Sequence, residues 1–423
     1  MPYKFIALRR PHLQQTAPTG MPVDEARAHV LEGVATPEKV EQLERLGLRL
    51  TLVEELAAVN DHRFTAHDYL GAYVVETPDM EVAIRAHQVL EAEYMLVPNV
   101  ELAQPATIVG ATYKRMPASA PEWPATSGID LAHQVGITGG GTRICVLDTG
   151  VDADHSELRH KVIDFRYVPL NAEADAVRDC RGFDVDGHGT HVCDVAAGRV
   201  LGVAPDAELL VAAVLESETL KTSLERVVIA LNWMLAQFKE TENLNKPMIV
   251  NMSLGFTQES IDRVDFNNVV RGFQLMLHTL TNVYNVLPVV AAGNDGASKL
   301  RVPALFDDTL SVGAVDFDLQ VAPFSGSGRS SFTNENEPDL VGYGVEILGA
   351  FERNRYGRSL YRRMSGTSMA TPYVAGIAAL YASQNPRLQG NALWQQLVST
   401  ALPLDAPADR VGAGLARYVE EKT

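Results

Sequence analysis

From Arg143 onward, short apolar runs alternate with longer stretches of helical spacing. Ile144–Leu147, Glu208–Val214, Met248–Met252, Val286–Ala292 and Thr309–Val315 are continuous apolar runs, the pattern of strands buried on both faces of a parallel sheet. Between them, Thr222–Phe238 puts Val227, Val228, Leu231, Met234, Leu235 and Phe238 on one stripe, which reads as a core-packing helix face. The alternation predicts an α/β fold, a three-layer doubly wound parallel sheet with helices on both sides. In such sheets functional groups gather beyond the carboxyl ends of the strands.

The first 112 residues carry a different rhythm. Tyr3–Arg9 reads as a strand, Thr36–Leu46 as a helix opening at Thr-Pro-Glu, and Leu48–Val53 as a strand. Tyr69–Glu76 follows as a strand, Asp79–Glu91 as a helix with Val82, Ile84, Ala86 and Val89 apolar, and Tyr94–Val97 as a strand. This order predicts a small α+β ferredoxin-like unit over residues 1–112. Residues 113–128, rich in Pro, Ala and Ser without periodicity, read as a linker and an exposed, cleavable segment, or as an extended arm crossing the surface. Residues 129–423 form the main domain.

Composition narrows the classes. With 423 residues, 46% of them hydrophobic, the chain can bury one large core and a smaller one. A formal net charge of −17 repels phosphate backbones and acidic lipid, which argues against nucleic-acid and membrane partners. The N-terminus lacks the apolar block of a signal peptide, which predicts a cytoplasmic protein and leaves other export routes open. The 3 cysteines, Cys145, Cys180 and Cys193, have neither zinc-ribbon nor disulfide-framework spacing; Cys145 and Cys193 read as buried fillers.

Four short motifs carry candidate chemistry. Asp148 ends the first buried strand in Val-Leu-Asp-Thr-Gly, where an acid is costly to desolvate unless paired. Asp186-Gly-His188-Gly-Thr-His191 opens a helix; the two histidines sit on one face, so a base and a metal pair are rival readings, although no third ligand stands at the right spacing. Asn294 follows the strand Leu287–Ala292, either as a turn residue or as an oxyanion donor. Ser368 lies in Gly-Thr-Ser-Met-Ala-Thr-Pro at the mouth of a close-packed helix whose first N–H groups are free.

Taken together, the motifs at 146–152, 186–192, 202–205, 251–255, 291–296 and 366–376 resemble the subtilisin-like serine proteases over most of residues 130–400. The chain order Asp, His, Ser is itself a recorded trait of that family. The resemblance implies a serine endopeptidase with Ser368 as nucleophile, His188 as general base and Asp148 as its orienting acid. Asn294 and the Ser368 N–H would receive the oxyanion. It further implies that protein or peptide substrates pair as an extended strand with Ser253, Leu254 and Gly255, while Ala291, Ala292 and Gly293 line the primary pocket. His191 would be a packed helix residue. The N-terminal unit resembles the family's inhibitory prodomain in element order, which implies an autoprocessed precursor and the chain's own N-terminal domain as inhibitor. A catalytically silent binding scaffold and a peptide ligase or macrocyclase are the alternatives; an intact triad and the lack of an obvious water-excluding lid argue against them.

Several positions depart from the family. The segment between His188 and Gly202 is shorter than in secreted members, whose extra loop there holds calcium, so that site is expected to be absent. Catalysis requires no cofactor, and structural calcium elsewhere stays open. Phe256 stands where a second glycine is usual, and either narrows the cleft or packs on the core. Arg301, before Val302-Pro303, either sits solvated or enters the primary pocket and favours an acidic residue before the cleaved bond; Asp295 pulls the other way. Five arginines in Glu352–Arg363 form a basic hairpin that grips an acidic segment or is simply solvated.

Overall fold

A computed structural model describes residues 3–32, 37–55, 62–103, 108–113, 123–170, 177–216, 221–257 and 263–420. The N-terminal region comprises β1 (Tyr3–Arg9), α1 (Val23–Glu32), α2 (Pro37–Glu44), β2 (Arg49–Leu50), β3 (Arg63–His67), β4 (Ala72–Thr77), α3 (Met80–Leu90) and β5 (Tyr94–Pro98). Their sheet runs β2-β3-β4-β1-β5, with β1 antiparallel to both β4 and β5. Without the short β2, this is the strand order of the split β-α-β unit.

Two elements differ from the sequence reading. The expected strand Leu48–Val53 shrinks to the exposed pair Arg49–Leu50, and β3 takes the inner position. In β3, Arg63, Thr65 and His67 are polar yet buried, so its apolar alternation is weak. Arg63 is held by Glu76 at 2.8 Å, as a buried charge requires. Helix α1, rich in charged residues, has too weak an apolar stripe to announce itself in the sequence.

Period-two alternation gives the N-terminal sheet two working faces. Ala7, Tyr73 and Val75 pack with Leu43, Ala86 and Leu90 of its own helices. Ile6, Leu8, Val74 and Val97 face the other way and share a core with Val269 and Phe273 of the main domain. Arg27 of α1 reinforces this joint. It is 1% exposed, lies 3.9 Å over the Phe238 ring, and donates to the carbonyls of Tyr284, Leu244 and Lys246 at 2.9 Å each and of Asn285 at 3.3 Å. Burial pulls its pKa down to about 9.

Downstream come β6 (Glu101–Ala103), β7 (Ile108–Tyr113), α4 (Ile129–Gln134), β8 (Arg143–Asp148), β9 (Ile163–Tyr167), β10 (Arg178–Asp179), α5 (His188–Ala197), β11 (Glu208–Ala213) and β12 (Lys221–Ser223). Then follow α6 (Leu224–Ala236), β13 (Met248–Met252), α7 (Arg263–His278), β14 (Leu287–Ala291), β15 (Leu310–Val315), β16 (Gly328–Arg329), β17 (Asn336–Glu337), β18 (Leu340–Tyr343), β19 (Ile347–Phe351), β20 (Leu360–Ser365), α8 (Thr367–Gln384) and α9 (Gly390–Thr400). The main sheet has 8 strands in the order β10-β9-β11-β8-β13-β14-β15-β18, parallel from β9 to β18. Ile144 and Val146 face α5 and α8, whereas Cys145 and Leu147 face α6 and α7, which makes the three layers.

The expected linker is only partly describable, since residues 114–122 lie outside the described residues. On either side of them the chain is already engaged. Trp123 packs its ring 5.1–6.4 Å from those of Tyr373, Tyr343 and Phe317 of the main domain. Before it, β6 pairs antiparallel with β12, and β7 pairs antiparallel with β20, Ile108 opposite Ser365.

Candidate active site

The four motif residues sit where strands end or helices begin, as the doubly wound layout requires. Asp148 is the last residue of the central strand β8, and His188 the first of α5. Glycines let these two ends meet. A methyl group on Gly189 would stand 2.1 Å from the Gly150 carbonyl oxygen, and Gly150 itself has φ +129, a region side chains rarely adopt. The imidazole Nδ1 of His188 lies 2.7 Å from Asp148 Oδ1, with both residues buried.

Asp148 Oδ1 also accepts the Thr149 N–H at 2.8 Å, while its Oδ2 is buried with no hydrogen-bond partner among the described residues. The carboxylate is thus committed to His188 on one oxygen. Burial alone would lower the histidine's pKa, but the charge and hydrogen bond of Asp148, with Asp186 and Asp184 behind it, outweigh burial and raise it. Thr149, a turn residue of the motif, and Asp184, which lies outside the motifs, support this pair. Thr149 Oγ1 donates to Asp184 Oδ1 at 2.8 Å and accepts the Gly189 N–H at 2.9 Å; Asp184 Oδ2 accepts the Thr190 N–H at 2.7 Å. Together they lock the turn after β8 to the first turn of α5. Asp184 stands outside the quoted motifs, so spacing could not reveal it.

Ser368 is the second residue of α8, after Gly366 and Thr367, and packs at the carboxyl end of β13. Its hydroxyl donates to the Ser253 carbonyl at 3.3 Å, and the Ser253 hydroxyl donates to the Ser368 carbonyl at 2.9 Å. Asn251 Nδ2 in turn donates to Ser253 Oγ at 3.1 Å. The serine is therefore tied to the stretch Ser253, Leu254, Gly255 expected to bind substrate backbone.

Asn294 follows β14 in the turn after Ala291, Ala292 and Gly293. Its Oδ1 accepts both the Thr367 N–H at 2.9 Å and the Thr367 hydroxyl at 3.0 Å. Two donors on one oxygen assign the amide orientation and leave Nδ2 as the donor end. Thr367, the residue before the serine, therefore aims it.

The other candidates resolve as follows. His191 Nε2 bridges the carbonyls of Ile347 at 3.0 Å and Arg362 at 3.1 Å, and burial lowers its pKa to about 4; it is a neutral brace under β19 and β20. Phe256 is buried, sits 5.6 Å from the Phe273 ring, and exchanges 3.0 Å backbone bonds with Val302, so it packs on the core instead of covering the cleft. Arg301 is 3% exposed and bound bidentate to Asp295 at 2.6 and 3.0 Å, so it is not a solvated surface charge. In the basic hairpin, Arg353 pairs with Asp152, Arg362 lies 3.6 Å over Phe351, and Arg363 donates to the Glu346 carbonyl at 2.6 Å. Arg353 ties the hairpin to the turn after β8, and the other two brace the hairpin itself. Among the described residues, no group of three or more His, Cys, Asp or Glu is placed to hold a metal ion.

The whole arrangement can do acyl-transfer chemistry: a serine at a helix mouth, a buried histidine with a fixed tautomer, and an amide donor beside them. Comparison with known proteins agrees. A family model described as "Subtilase family" matches residues 139–414. The chain is 48% identical over 303 residues to the subtilisin-like protease PopC of Myxococcus xanthus, covering 70% of this chain and 63% of that protein. It is 30% identical over 295 residues to the major intracellular serine protease of Bacillus subtilis, covering 66% of this chain and 82% of that one. A crystal structure of a cold adapted subtilisin-like serine proteinase superposes with TM-score 0.53 at 28% identity, over 68% of this chain and 92% of the other. The chain thus spans about 63% of the length of the first of these relatives.

Proposed function

The chain belongs to the subtilase family, and on that premise we propose that it is a serine endopeptidase cleaving peptide bonds through an acyl-enzyme. The observation that carries the reading is the buried 2.7 Å contact between His188 Nδ1 and Asp148 Oδ1. It holds the proton on Nδ1, so Nε2 is the nitrogen that acts as base. Ser368 Oγ gives its proton to Nε2 as it attacks the scissile carbonyl carbon. The electron pair of the carbonyl π bond moves to oxygen, where the Asn294 amide and the Ser368 N–H donate to it. The imidazolium, stabilised by Asp148, then protonates the leaving amine as the C–N bond breaks. Water repeats the sequence to release the acid and restore Ser368.

The N-terminal region acts in this reading as an intramolecular inhibitor. Glu101–Ala103 adds a strand to Lys221–Ser223, and Ile108–Tyr113 adds one to Leu360–Ser365, three residues before the nucleophile. Backbone pairing of this kind is how an extended peptide is held at a sheet edge. Its support is that residues 101–103 and 108–113 each pair with a strand of the main domain, the second with the strand that leads into the serine motif. Catalysis needs no cofactor in this scheme.

Mass analysis of a defined peptide incubated with the wild type and with Ser368→Ala tests the proposal. The expected result is hydrolysed fragments from the wild type alone. Ligated or cyclised products, or equal turnover by both proteins, would overturn it.

A further inference from the structure

The stretch expected to pair with substrate backbone and the stretch expected to line the primary pocket follow neighbouring parallel strands: Ser253, Leu254 and Gly255 after β13, and Ala291, Ala292 and Gly293 at the end of β14. Arg301 is stitched to both. Its N–H donates to the Ala292 carbonyl at 3.2 Å, and the next residue, Val302, exchanges two 3.0 Å bonds with Phe256. The side chain then runs between these two stretches. A methyl built on Gly255 would lie 3.0 Å from Arg301 Cβ and 3.4 Å from Cδ. One built on Gly293 would lie 2.9 Å from Cγ, 3.1 Å from Cδ and 3.3 Å from Nε. The arginine stem therefore rests against the bare faces of both glycines, and Asp295 grips its head.

We propose that Arg301, locked by Asp295, fills the depth of the primary specificity pocket, so that the enzyme accepts only glycine, alanine or serine immediately before the cleaved bond. The inference rests on the endopeptidase reading above. Each larger class of side chain meets a specific obstacle. An aromatic ring, which buries about 150–250 Å² when fully packed, would need the space the stem occupies. A carboxylate would face Asp295, and a cation would face Arg301; either must break a bidentate pair to enter. Lys299, which also acts on Asp295, adds a second positive charge beside the pair. The preference for acidic residues that an inward Arg301 would give is cancelled because its charge already has a partner.

The test is kcat/KM of the full-length enzyme on peptides differing only at that residue: Gly, Ala, Ser, Leu, Phe, Glu and Arg. Alanine should exceed phenylalanine and glutamate by about tenfold or more, the scale at which pocket contacts discriminate. Arg301→Gly should reverse the alanine-to-phenylalanine ranking. Asp295→Asn, which frees the guanidinium without emptying the pocket, should raise glutamate about tenfold relative to alanine, and it decides the matter if Arg301→Gly does not fold. A wild type led by phenylalanine, leucine or glutamate overturns the pocket assignment and leaves the endopeptidase reading standing, as does an unchanged ranking in both variants. Failure to cleave any peptide together with failure to take up a fluorophosphonate overturns the endopeptidase reading, and the pocket with it.

Discussion

Asn294 Oδ1 takes two hydrogen bonds from Thr367, one from its N–H and one from its hydroxyl, at 2.9 and 3.0 Å. The donor end of the amide is therefore set by the residue beside the nucleophile. Asn294→Ala should lower kcat by about 10²–10³, the range known for this donor in subtilisin, a member of the same family, with KM little changed. Thr367→Ala leaves one of the two bonds and should cost on the order of tenfold in kcat. Steady-state kinetics check both. Equal losses in the two variants would mean that Thr367 does more than aim the amide.

The pH profile reports on His188. Its pKa is raised because Asp148 outweighs burial, so the rising limb of kcat/KM in the wild type should lie above the ordinary histidine value of 6.5. In Asp148→Asn burial is no longer opposed by that charge. The limb should move to lower pH, and the maximum should fall by about 10⁴, because the tautomer is no longer held. An unshifted limb would detach the carboxylate from the histidine.

Glu337 and Asp339 converge on Ser311, whose hydroxyl lies 2.5 Å from Glu337 and 2.9 Å from Asp339. Burial, and then the neighbouring carboxylate, push Glu337 up to about 8 from 4.5. A carboxyl whose folded pKa is raised binds more protons folded than unfolded. Its contribution to stability is therefore greatest below the unfolded pKa and declines as pH rises from about 4.5 to about 8. Glu337→Gln should flatten that decline and raise Tm at pH 8 relative to the wild type, measured by calorimetry across the range.

Arg27 fixes α1 to the main domain through four carbonyls and the Phe238 ring. Arg27→Ala strands those acceptors and should cost on the order of 3 kcal/mol in urea unfolding. Arg27→Lys keeps the charge without the planar fork and should recover only part of it. Full recovery by lysine would mean that charge alone holds the joint.

What could be read in advance follows from how local each signal is. Asp148, His188, Asn294 and Ser368 sit among glycines and small residues at strand and helix ends, a constraint written in adjacent positions. The parallel strands announced themselves as unbroken apolar runs. By contrast β3 hides because Arg63, Thr65 and His67 face a polar joint that only tertiary packing creates. Thr367 and Asp184 act through hydrogen bonds to residues 73 and 35 positions away, respectively, which sequence spacing does not report. Arg301 could be suspected, but its pairing with Asp295 depends on the path of the turn between them. Composition marked 113–128 as the linker, whereas the strand pairs made by 101–103 and 108–113 were not legible because their partners, 221–223 and 360–365, are distant in sequence.

The central claim is that Ser368 is the nucleophile served by His188 and Asp148, and peptide mapping after treatment with a fluorophosphonate tests it most directly. The account predicts a single adduct on Ser368, its disappearance in Ser368→Ala, and strongly slowed formation in His188→Ala. An adduct on a different residue, or peptide hydrolysis that survives Ser368→Ala at the wild-type rate, would contradict it.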